Sequence, residues 1–134
     1  MIRLCAISSV LLFVGLLSLA LATAQAGENV FVSVNAGGSE LEISPSAIHL
    51  VSNENLNSIR WSSWGGRTAS GRATDYANGP NPGHSGRNPV RVRLERRRRC
   101  RGLLVYTSVR LRFTKGVPYT GQSHVTRYPF GCPL

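Results

Sequence analysis

Residues 88–115 read NPVRVRLERRRRCRGLLVYTSVRLRFTK, and the period of this stretch decides the fold class. In its first half Val90, Val92 and Leu94 alternate with Arg91, Arg93 and Glu95, which is the period of two of a strand buried on one side. In its second half Leu103, Val105, Val109, Leu111 and Phe113 fall inward and Arg110 and Arg112 outward. The stretch reads as a β-hairpin whose connection is Arg96, Arg97, Arg98, Arg99, Cys100, Arg101 and Gly102. With simple pairing, Arg91, Arg93, Arg110 and Arg112 project from one face, and Arg96 to Arg99 with Arg101 continue it at one end. Such a charge is either an anion-binding surface or a charged edge that resists pairing with other chains.

The sequence before the hairpin supports more strands. Residues 27–35 hold Val30, Phe31, Val32 and Val34, a short strand or a frayed arm, and Leu41 to Ser44 alternates before Pro45 stops it. An apolar run resumes at 47–51, and Ser52 to Asn55 has the composition of a turn. In LNSIRWSSW, residues 56–64, Trp61 and Trp64 lie ahead of the pair Gly65-Gly66, and parity does not decide which ring is inside. Both are read first as core, with an exposed aromatic contact for a sugar or base as the alternative. In residues 67–74 small residues alternate as in a strand packed against a bulky neighbour, and Gly71 marks either a bulge or a place where an aromatic ring needs room. Residues 75–87, DYANGPNPGHSGR, read as a long surface loop, and 116–134, with Pro118, Pro129 and Pro133, as an irregular tail. No stretch beyond residue 26 has a useful helical period. The fold class is all-β, a small antiparallel sandwich or open barrel.

The first 26 residues are expected to be a signal peptide. A basic start is followed by a nearly unbroken apolar run from Leu4 to Leu21 and by Ala24-Gln25-Ala26, which offers small residues for cleavage after Ala26. The expected product, 27–134, is one secreted domain with no stable membrane span. It keeps Cys100 and Cys132, and an even count in an exported chain reads as a disulfide. Closing that loop of about 30 residues constrains the unfolded chain by roughly 3 to 4 kcal/mol. No second Cys or His stands at ligand spacing from either cysteine, so no metal is expected.

The chain carries 16 Lys and Arg against 6 Asp and Glu, a formal charge of +10. Every base except Lys115 is arginine, which stays ionised and makes bidentate contacts to carboxylate and phosphate. Export argues against an intracellular nucleic acid as the partner and for an anionic extracellular or envelope polymer.

Several short motifs resemble a group of small exported proteins of actinobacteria, of uncharacterised function. Trp61, Trp64 and Gly65 match its W-x-x-W-G segment; Ala69, Gly71 and Ala73 match A-x-G-x-A. Pro89, Val90, Val92 and Leu94 match P-V-x-V-x-L, and Cys100, Gly102 and Tyr106 match C-x-G-x-x-x-Y. The resemblance covers about residues 59–113. It implies export and a β domain and adds no chemistry. Where that group carries a C-x-P-x-C-like pair, this chain has Gly79-Pro80-Asn81-Pro82-Gly83, so a second disulfide is missing.

Catalysis finds little support. A small nuclease needs an acid and a base beside arginines, and the candidates are His84, His124 and Glu95. Glu95 is a poor base among four arginines, and His84 sits in the glycine-rich loop. No serine lies in a G-x-S-x-G turn. The expected role is a non-catalytic domain, without cofactor, that binds anionic polymers through the arginine hairpin. The alternative is a structural domain whose protein partner meets the region of Trp61 to Gly66.

Overall fold

The computed structural model describes residues 27–36, 38–51, 53–78 and 86–133. The signal-peptide reading, His84 and most of the glycine-proline loop lie outside the described residues. Every regular element among those described is a strand: β1 Val30–Ser33, β2 Leu41–Glu42, β3 Ile48–Val51, β4 Glu54–Ser63, β5 Ala69–Ala77, β6 Gly86–Cys100, β7 Leu103–Phe113 and β8 Val125–Pro129. They form one sheet in the order β2-β1-β7-β6-β5-β4-β3, with β8 paired to β7.

The sheet curls into a half-barrel. Its two ends touch where His49 N donates to Val34 O at 2.7 Å and Ala36 N donates to His49 O at 3.0 Å. Of the two architectures expected, the open barrel is the one found. The expected antiparallel pairing holds along the sheet except between β1 and β7, which run parallel from Val30↔Leu104 to Val32↔Tyr106. The start of the chain has to reach the free side of β7, and no local turn signals that long connection.

The central hairpin is present, but its strands run through the arginines. β6 extends to Cys100 and β7 starts at Leu103, so the connection is only Arg101-Gly102, both with positive φ (48° and 85°), as a tight twisted hairpin turn requires. Arg96 to Arg99 are therefore strand residues. Alternation also changes phase. Arg96 takes a left-handed conformation, φ 54°, and its carbonyl accepts the Thr107 hydroxyl at 2.8 Å. Before this point Val90, Val92 and Leu94 face the core with Val109, Leu111 and Phe113; after it the core residue is Tyr106, with Leu104 packed beside it. Val105 is buried outside that cluster and Leu103 is 43% exposed, which corrects the inward set expected of the second strand.

Two segments expected to be irregular contain strands. Asp75, Tyr76 and Ala77 continue β5 and pair with Asn88, Arg87 and Gly86. The inward run Ala73, Asp75, Ala77 has an acid in its middle, which hides its apolar period. In the tail, β8 pairs with β7 from Ser108↔Pro129 to Arg112↔Val125. Pro129 is tolerated because, among the described residues, β8 has no neighbour on its other side.

Val30, Val32, Ile48, Leu50, Leu56, Val92, Leu94, Tyr106, Val109 and Leu111 are almost fully enclosed and form the core. Both tryptophans border it: Trp61 Nε1 donates to Pro45 O at 2.8 Å, and Trp64 Nε1 donates to Val30 O at 3.0 Å. Their rings meet edge to face at 4.8 Å, and Trp64 meets Tyr106 at 5.5 Å. The Cys100–Cys132 disulfide, with Cα atoms 5.6 Å apart, ties the tail to the end of β6, and Phe130 N donates to Thr107 O at 2.9 Å beside it.

Candidate anion-binding face

The outward residues of four strands fall into register. Arg60 on β4 pairs with Arg72 on β5, Arg72 with Arg91 on β6, and Arg91 with Arg112 on β7. Directly paired residues lie on the same side of a sheet, and neighbouring strands are about 4.8 Å apart, so these four guanidinium groups start from a row about 14 Å long. The next row reads Ser70, Arg93, Arg110 and Arg127 across β5, β6, β7 and β8. All of these except Arg127 line a groove of about 670 Å³, together with Ser62.

Local sequence accounts for this placement. β5 turns Ala69, Gly71 and Ala73 inward and so turns Ser70 and Arg72 out. On β4, Ser58 has φ 54° and the pairing register shifts there, so Arg60 points outward while Ile59 is buried. Gly71 lies against Trp61: a Cβ there would come within 2.7 Å of Arg60 O and 3.1 Å of the indole.

The two rows differ in charge balance. Glu95 lies 3.6 Å from Arg93, 3.9 Å from Arg110 and 3.8 Å from Arg127, so one carboxylate is shared by three arginines of the second row. Among the described residues Arg60, Arg72, Arg91 and Arg112 have no carboxylate partner. Like charges facing each other across strands cost stability. Nor does edge protection account for them, since β5 and β6 are hydrogen-bonded on both sides.

The expected face thus divides in two. Arg91, Arg93, Arg110 and Arg112 come together as the hairpin pattern implies. The arginines nearer the turn do not extend their row. Arg97 donates to Gly65 O at 2.8 Å. Arg99 forms a two-pronged pair with Glu28 at 2.8 and 2.9 Å, which lowers the Glu28 pKa and raises that of Arg99. Arg96 and Arg97 border a smaller hollow of about 330 Å³ with Arg67 and Thr68, while Arg98 and Arg101 are exposed. Sequence reasoning missed Arg60, Arg72 and Arg127. The alternation of β5 carried a signal for Arg72; that of Arg60 was concealed by the irregularity at Ser58.

Of the candidate nuclease groups, Glu95 and His124 are not brought together. Glu95 pairs with Ser108, whereas His124 bonds through its carbonyl to Phe113, about 17 Å farther along β7. Among the described residues no three His, Cys, Asp or Glu side chains cluster as a metal site would require. Trp61 and Trp64 have their ring nitrogens satisfied by backbone carbonyls and remain half-buried.

A second polar group occupies the barrel interior. Asp75 is 0% exposed and Glu54 3%, both on inward positions of neighbouring strands. Tyr128 donates its hydroxyl to Glu54 Oε2 at 2.6 Å, leaving Glu54 Oε1 and both Asp75 oxygens with no other hydrogen-bond partner among the described residues. Burial, then the neighbouring Glu54, pushes the Asp75 pKa up to about 8. Burial and Glu54 also push the Tyr128 hydroxyl far above its ordinary value. At neutral pH Asp75 therefore carries a proton.

No family model matches the chain, and neither the curated proteins nor the solved structures contain a match. The likeness to the exported actinobacterial proteins therefore rests on its motifs.

Proposed function

We propose that this protein is a non-catalytic, secreted domain that binds anionic polymers of the cell envelope or the extracellular medium through its outer arginine face. The observation that carries this reading is the row Arg60, Arg72, Arg91, Arg112, four adjacent cations in the middle of a sheet without carboxylate partners among the described residues. Such a row costs stability and is offset when an anion lies across it. The guanidinium geometry suits bidentate oxyanion contacts. Export follows from the apolar leader, and a disulfide is compatible with it.

The test is salt elution from an anionic polysaccharide resin and from the producing cells' own wall fraction. The protein is expected to be retained, with affinity falling steeply as salt rises. Changing Arg91, Arg93, Arg110 and Arg112 together to Ser should abolish retention, while changing Arg98 and Arg101 to Ser should have little effect. Equal elution of the two variants would overturn the proposal.

A further inference from the structure

The arginine row has a direction, and the direction constrains the ligand. A hairpin-based reading runs a polymer along β6 and β7, parallel to the strands. The pairing register instead lines up Arg60, Arg72, Arg91 and Arg112 at right angles to the strands, one cation per strand. The cations of the next row are different in kind, because Glu95 already serves Arg93, Arg110 and Arg127. Unbalanced charge therefore extends across the sheet, not along the hairpin.

Three features of this track bear on its partner. Its cations repeat at the inter-strand distance of about 4.8 Å, close to the rise of one sugar in an extended β-linked polysaccharide. Serine side chains flank the arginines: Ser62 and Ser70 border the same groove, and Ser62 Oγ donates to Ser70 O at 3.0 Å. Hydroxyls beside regularly spaced cations match a chain of acidic sugars. Single-stranded nucleic acid would use free aromatic faces for stacking, and Trp61 is instead anchored by Pro45 O and packed edge to face on Trp64.

Resting on the binding function proposed above, we infer that the ligand is a linear acidic polysaccharide with one carboxylate per sugar. It lies across the strands along the four-arginine row. Arg60 and Arg72, outside the hairpin, then contribute as much as Arg91 and Arg112.

Calorimetric titration of the purified protein with β-1,4-linked uronic acid oligomers of increasing, defined length tests this. Affinity should climb with each added sugar up to about four and then level off. The slope of log K against log salt should be about −3, from about 0.7 to 0.9 per contacted charge. Arg60→Ser and Arg72→Ser should each weaken binding about three- to fivefold, as Arg91→Ser does, and lower the salt slope by about 1. Arg98→Ser should change neither quantity. A loss confined to the hairpin variants would overturn the crossing track. Tighter binding of an oligonucleotide or a polyphosphate of equal charge would overturn the acidic-sugar ligand while leaving polyanion binding in place. Failure to bind any of these polyanions would sink both proposals together.

Discussion

Asp75 is the residue whose environment departs furthest from its composition. Its folded pKa, pushed up to about 8, lies above the ordinary carboxyl value of 3.8, so the folded state holds a proton that the unfolded state releases. Stability from this group is complete below about pH 4, falls as pH rises through the window between those two values, and is flat above it. The titratable groups around it are Glu54, Tyr128 and Tyr119. The melting temperature should fall between pH 5 and pH 8, the free-energy slope reaching at most about 1.4 kcal/mol per pH unit. Asp75→Asn should flatten that profile; an unchanged slope would show that Asp75 does not hold the proton. Gly71 belongs to the same scale. Gly71→Ala forces a methyl against the β4 backbone and should cost about 1 to 3 kcal/mol in chemical denaturation. Its role was legible, since a glycine inside an alternating run announces a crowded spot. Asp75 was not, because an acid in a stretch of Asn, Gly and Pro has the composition of a loop.

Among the elements, the β6–β7 hairpin shows what a period can and cannot reveal. Alternation locates both strands and puts Arg91, Arg93, Arg110 and Arg112 on one side. It cannot locate the phase change, because a left-handed arginine leaves no mark in the sequence, and so Tyr106 takes the core place that Val105 was expected to fill. The disulfide was legible from cysteine parity; the strand it anchors, β8, is too short to show a period. Cys132→Ser should remove about 3 kcal/mol of stability. Hydrogen exchange should then accelerate first in residues 125–130, where Phe130 N and the β8 ladder depend on the tether. Uniform acceleration across the sheet would count against a tail held locally by this bond.

For the molecule as a whole, the arginine face is a property of the sheet, and no single segment contains it. Arg60, Arg72, Arg91 and Arg112 are separated along the chain and become neighbours only through three strand pairings, one of which includes the register shift near Ser58. A sequence shows where arginines are dense, at residues 96–101. It does not show that Arg97 and Arg99 there are engaged by Gly65 and Glu28 while sparser arginines elsewhere line up unneutralised.

The parallel pairing of β1 with β7 also bears on assembly. β1 meets β2 and β3 close by in the chain, but its parallel ladder with β7 forms only once that distant strand is in place. Contacts so distant in sequence make folding slow. A chain cut short before Leu103 would therefore leave that side of β1 unpaired and the curled sheet incomplete.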